Sequence, residues 1–126
     1  MDIELFEPED VPQAPANIKI QRLAATVYPD GWRVRLAVDV TPFLERPNLE
    51  IKVEAADGRP VVPINLSVIE TMHHNMEFTV HIRGVTNPEG QYVAYASLYY
   101  QAADQPQSQI ETPFSIAESN NPPAAS

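Results

Sequence analysis

Cysteine is absent from the 126-residue chain. That removes disulfides, zinc–thiolate centres and thiol nucleophiles together, so stability has to come from a packed core. Glycine is scarce at 4 residues, whereas proline reaches 13. Proline breaks helices and is confined in sheet proteins to turns, edges and tails, so long helices are excluded and short strands favoured. No run approaches the roughly 20 apolar residues that cross a bilayer as a helix, and the first residues carry neither a basic stretch nor an apolar one of the secretory kind. A soluble, cytoplasmic protein without membrane association is the expectation. In that setting Asn65-Leu66-Ser67 reads as a chance match to the glycosylation sequon within a strand.

Bases are also few, at 8 against 17 acids, for a net charge of −9. Residues 1–15 hold Asp2, Glu4, Glu7, Glu9 and Asp10 and no base, while residues 16–117 carry eleven acids against eight bases. An acidic chain with scattered bases repels phosphate backbones, so no nucleic-acid partner is expected. Pro8, Pro12 and Pro15 among those acids, and Pro122 and Pro123 near the other end, give residues 1–15 and 118–126 the composition of disordered tails. One domain over residues 16–117 is left between them.

Within that domain the hydrophobic period is two. Trp32, Val34, Leu36, Val38 and Val40 alternate with Arg33, Arg35, Ala37 and Asp39, the pattern of a strand with one face buried. Leu49, Ile51 and Val53 repeat it against Glu50, Lys52 and Glu54, and Phe78, Val80 and Ile82 against Thr79, His81 and Arg83. Further strands are expected from Ile18, over Val61 to Ile69, over Gln91 to Tyr100 and from Ile110 to Ile116. Tyr28-Pro29-Asp30-Gly31 is a turn, and Asp57-Gly58 is the dipeptide of a two-residue hairpin, which pairs the strands on either side of it. Pro63 argues that the second of those strands lies at a sheet edge.

Seven short strands with turn signals between them read as an all-β, seven-stranded antiparallel sandwich with disordered N- and C-terminal tails. Pro88-Glu89-Gly90-Gln91-Tyr92 resembles the corner that opens the sixth strand of immunoglobulin-like and fibronectin type III-like domains, where a glycine precedes a tyrosine by two. The resemblance implies an immunoglobulin-like topology, with Gly90 and Tyr92 as a structural corner whose tyrosine hydroxyl bonds back to nearby backbone. Pro88 and Ala94 stand where antibody domains have aspartate and cysteine, and Trp32 lies on the second strand, which is more similar to fibronectin type III than to antibody domains. A fold-level resemblance carries no function by itself.

Four surfaces hold residues able to bind something. Alternate connections gather at one end of such a sandwich: Thr41 to Pro47, Glu70 to Met76 and Gln101 to Ser108. Phe43 and Leu44 in the first are either an anchor for a partner or a cap on the core. Glu70, His73 and His74 in the second are metal-ligand types, but adjacent histidines point apart and the spacing matches no known site, so no metal and no other cofactor is expected. Tyr95 and Tyr99 share the outward face of the sixth strand, where they serve cross-strand packing, a protein contact or a stacked sugar ring. Leu5 and Phe6 lie among the N-terminal carboxylates, in a segment that is either solvated or folds onto a basic, apolar groove. No Ser, Thr or His sits in a nucleophile motif, and Ser67 and Thr71 stand alone. The leading expectation is a non-catalytic protein–protein interaction module of accessory, adaptor or inhibitor type. The alternative is a carbohydrate or small-ligand module that uses the tyrosines, and a weak metal site in the loop after the fourth strand ranks third; for the assembly, a homodimer through an edge or the tyrosine face is left open.

Overall fold

The computed structural model describes residues 11–117. Seven strands follow in chain order: β1 (Ile20–Val27), β2 (Arg33–Val40), β3 (Asn48–Ala55), β4 (Ile64–Val68), β5 (Asn75–His81), β6 (Gly90–Tyr99) and β7 (Ser108–Ile116), after a single 3-10 turn at Pro15–Asn17. They form two antiparallel sheets, one ordered β1-β2-β5 and the other β4-β3-β6-β7. The fold is all-β among the described residues.

Alternation builds the core. Val34, Leu36, Val38 and Val40 on β2 are fully buried, and they face Leu49, Ile51 and Val53 on β3 and Tyr92, Ala94, Ala96 and Leu98 on β6. Each valine or leucine buried in this way contributes on the order of 1.5–3 kcal/mol. The turn between β1 and β2 closes with Gly31 N–H donating to Tyr28 O at 2.9 Å, and Gly31 supplies the positive φ of 74°. Asp30 fastens the turn by accepting from the Trp32 and Arg33 amides at 2.9 and 3.1 Å and from Arg33 Nε at 2.8 Å.

Two expectations are corrected here. Asp57-Gly58 does not close a two-residue hairpin, although β3 and β4 do pair, because their ladder ends at Val53 opposite Ile64. The Asp57 carboxylate is taken by Arg59 Nε at 2.7 Å, and Arg59 Nη1 reaches on to Glu89 O at 2.6 Å, which draws the loop across the sandwich. Pro60 and Pro63 lack an amide hydrogen, so β4 starts at Ile64 rather than Val61. The second correction concerns the N-terminal boundary. Residues 13–15, expected within the tail, belong to the body: Gln13 N–H donates to Pro42 O at 2.9 Å, Leu44 N–H donates to Gln13 O at 3.0 Å, and Pro15 O accepts from Gln107 Nε2 at 2.7 Å. Residues 1–10 and 118–126 lie outside the described residues.

The two long sides of the sandwich differ. Along β1 and β7 the sheets are stitched together, with Ile20 N–H donating to Ser108 Oγ at 2.9 Å and Thr112 Oγ1 donating to Leu23 O at 2.8 Å. Along β4 and β5 a groove of about 330 Å³ separates them, lined by Val62, Ile64, Leu66, Thr79, His81 and Arg83 among others.

Candidate functional site

Chain crossings between β2 and β3 and between β4 and β5, together with the β6–β7 turn, fall at one end of the sandwich, where residue 11 also enters. Hydrogen bonds tie these loops to one another. Thr71 N–H donates to Pro47 O at 2.9 Å, Glu70 N–H donates to Asn48 Oδ1 at 2.8 Å, Asn48 Nδ2 donates to Tyr100 O at 3.3 Å, and Tyr100 Oη donates to Glu45 O at 2.8 Å. Burial and the Glu45 carboxylate push the Tyr100 phenol above its ordinary pKa. Glu70 takes a left-handed φ of 51°, which turns the chain so that Thr71 goes inward and its neighbours go out.

The outward neighbours are apolar. Of the five large apolar side chains exposed among the described residues, Leu44 (70 %), Ile69 (63 %), Met72 (63 %) and Val11 (40 %) belong to this end, and only Val62 does not. The pair Phe43 and Leu44 divides: Phe43 is half-buried against the core and Leu44 stands in solvent. Sequence reasoning placed Val11 with Leu5 and Phe6 in the acidic N-terminal segment and missed Ile69 and Met72. A signal for these two was present in Ile69-Glu70-Thr71-Met72, a loop with apolar residues at both ends. Thr71 is buried, and its Oγ1 has no hydrogen-bond partner among the described residues.

Glu70, His73 and His74 are exposed on the same loop. Among the described residues no three His, Cys, Asp or Glu side chains converge in a way that would hold a metal ion. His74 contributes through its backbone, its carbonyl accepting from Val40 N–H at 2.8 Å. Leu5 and Phe6 lie outside the described residues.

Tyrosines of β6 do not form the expected exposed pair. Tyr95 is half-buried on the outer face, with Lys52 Nζ 5.4 Å from its ring centroid, whereas Tyr99 is buried. The Tyr99 hydroxyl lies 3.4 Å from Glu50 Oε2, and Ser67 Oγ donates to the same carboxylate at 2.8 Å. Desolvation and the Glu50 charge raise the Tyr99 pKa. Parity along the strand places Tyr99 outward, but at the strand's end it is covered by neighbours that period-two reasoning does not see. Beside Tyr95 a shallow groove of about 310 Å³ is lined by Glu50, Lys52, Asn65, Ser97 and Gln109.

At the opposite end Tyr92 is fully buried and its hydroxyl donates to Pro88 O at 2.5 Å. Its ring stacks on Phe114, with centroids 5.3 Å apart, and the Arg59 guanidinium lies 4.7 Å over it. Gly90 has φ 139°, and a Cβ there would come within 2.5 Å of Arg59 Cζ. Arg59 thus links the β3–β4 loop to this corner. Its role had no signal in the chain, because the three residues it bridges are 29 to 32 positions away.

No protein-family model, no curated protein and no solved structure matches this chain.

Proposed function

We propose that the chain is a non-catalytic protein-binding module that presents apolar loop tips from an immunoglobulin-like sandwich of the fibronectin type III kind. Support for that topology comes from β4, which pairs with β3 rather than β5, unlike the fourth strand of antibody constant-type domains, and from the Tyr92 corner. One observation carries the functional reading: Leu44, Ile69, Met72 and Val11 are exposed at one end, on loops held by hydrogen bonds to each other. Exposed apolar side chains gathered on ordered loops lose little entropy when a partner covers them, and their burial releases water. A hydroxylated small ligand beside Tyr95 is less well supported, since Tyr99 is buried and Lys52 covers part of the one remaining ring.

The test compares the full chain with a variant carrying Leu44→Ser, Ile69→Ser and Met72→Ser as baits in lysate of the native host. All three sites are exposed, so the variant should melt within about 2 °C of the parent, as surface substitutions usually do. Loss of a specific set of captured proteins from the variant supports the reading. Retention of the same set by the variant would sink it.

A further inference from the structure

β5 lies at the outside of its sheet and pairs only with β2. Ile82 N–H donates to Trp32 O, and Val40 N–H donates to His74 O, so the even-numbered residues of this strand bond inward to β2. In an antiparallel ladder the intervening residues point their backbone groups the other way. Glu77, Thr79 and His81 therefore direct N–H and C=O away from the sheet, and no described residue pairs with them. The free stretch stops at Arg83, whose carbonyl accepts from Val62 N–H at 2.9 Å. The other outer strands are blunted: Pro63 directly precedes β4, Pro113 lies within β7, and side-chain bonds stitch β7 to β1. β5 has neither proline nor bulge, and its register with β2 runs unbroken from Asn75 to His81.

We propose that this edge is the contact through which the chain forms a two-fold dimer, β5 adding antiparallel to β5 of a second copy with Thr79 on the axis. A two-fold axis demands a surface complementary to itself. The free stretch meets that demand, because an acid, a hydroxyl and a base stand at equal spacing and all three are exposed. An antiparallel ladder centred on Thr79 opposes Glu77 of each copy to His81 of the other. Within its own sheet Glu77 has only Ala37 across the ladder, whereas His81 is paired with Arg33. Dimerisation thus brings each carboxylate beside an imidazole that can donate to it, with Arg33 of the second copy one strand further on. Three bonded pairs carry two backbone hydrogen bonds each, about six in all, and use every outward amide and carbonyl of Glu77, Thr79 and His81.

Neighbouring registers do worse. Centred on Glu77, the ladder sets the two carboxylates against each other. Centred on Phe78, it opposes Glu77 to Thr79 and leaves the acid without a base. Centred on Val80, it opposes Glu77 to Arg83, whose carbonyl is already taken by Val62. On the inner face the Thr79 register lays the half-buried Phe78 beside Val80 of the second copy. The same axis turns the two grooves between β4 and β5 toward each other. That covers Val62, which among the described residues is the one large exposed apolar side chain away from the loop end.

Sedimentation of the full chain should show a mass that rises from one copy to two across roughly a hundredfold range of concentration. Glu77→Lys sets a cation against the imidazole on both sides of the axis and should weaken association at least about fivefold. Adding His81→Glu to that variant again opposes unlike charges and should restore it. Because the chain has no cysteine, a single one reports the register. Bonded pairs have Cα atoms about 5.5 Å apart, within disulfide reach, whereas the two Glu77 positions stand roughly 14 Å apart along the strands. Thr79→Cys should therefore oxidise to a linked dimer at least about tenfold faster than Glu77→Cys. The Thr79 side chain has one bond, an exposed one shared with Tyr28 Oη at 3.2 Å, so its loss spares the fold. Equal oxidation rates overturn the proposal, as does failure of His81→Glu to restore association. A chain that stays monomeric throughout would assign the edge to a strand of another protein and overturn it too. The variant changed at Leu44, Ile69 and Met72 should associate like the parent; loss of the dimer there would move the contact to the loop end and refute the β5 assignment.

Discussion

Replacing Tyr92 with phenylalanine removes one oxygen from the corner that opens β6 and leaves the ring in place. The hydroxyl donates to Pro88 O at 2.5 Å, while the ring contacts to Phe114 at 5.3 Å and to Arg59 at 4.7 Å do not depend on it. A typical intramolecular hydrogen bond is worth about 0.5–1.5 kcal/mol net, and an acceptor left bare in a part-buried site raises the loss. Arg59 Nη1, 3.4 Å from the same carbonyl, compensates in part. The expected destabilisation is about 1–1.5 kcal/mol, or roughly 5–10 °C in Tm for a domain of about 100 residues. Urea unfolding followed by the fluorescence of Trp32, the single tryptophan, reads it directly. The m-value should not change, because the surface exposed on unfolding is the same. A loss below about 0.3 kcal/mol would mean that the hydroxyl does not tie the crossing, and a changed m-value would mean that the substitution alters more than one bond. Combining it with Arg59→Met should show coupling of about 0.5–1 kcal/mol, since both side chains bond the same turn.

Other perturbations probe the surroundings of that corner and the tyrosine face. Gly90→Ala should cost about 2–4 kcal/mol, because φ 139° is strained for any side chain and the new Cβ would meet Arg59, itself held by Asp57 and Glu89; an unfolding midpoint within experimental error of the parent would refute this. Hydrogen bonds from Arg59 and Arg33 respectively hold the Asp57 and Asp30 carboxyls below their ordinary value of 3.8. Their stabilising contribution is complete above that value and is lost as pH falls through the depressed pKa of the folded state, so Asp57→Asn with Asp30→Asn should flatten the acid limb of a stability–pH curve; an unchanged slope would contradict the assignment. At the alkaline end, Tyr99 and Tyr100 titrate above 10.0 in the folded chain. Stability they lend below pH 10 therefore declines as pH rises beyond it, and tyrosinate absorbance should show two phenols ionising late, one of which shifts only part of the way back in Glu50→Gln, because burial still raises it.

Strand content was legible in the residues because alternation is a local property. A strand with one buried face needs an apolar residue at every second position, and Val34 to Val40 or Leu49 to Val53 state that with no reference to the rest of the chain. Inward parity likewise put Tyr92, Ala94, Ala96 and Leu98 on one face. The exposed end was less legible. Phe43 and Leu44 are adjacent and of similar hydropathy, yet one half-fills a place against the core and the other does not, a division made by the backbone path between β2 and β3. Ile69 and Met72 are exposed because Glu70 adopts a left-handed conformation, which its residue type does not announce.

By itself the chain determined that it would be a cysteine-free, all-β body of seven strands, since proline content, turn dipeptides and period-two hydrophobicity act over a few residues each. Only the tertiary structure decided that Arg59 spans to Glu89 and Tyr92, that Tyr99 is covered, and that one side of the sandwich is stitched while the other stays open. Each of these depends on groups brought together from distant parts of the chain. Their energies exist only once both partners have been placed, so no window of sequence contains them.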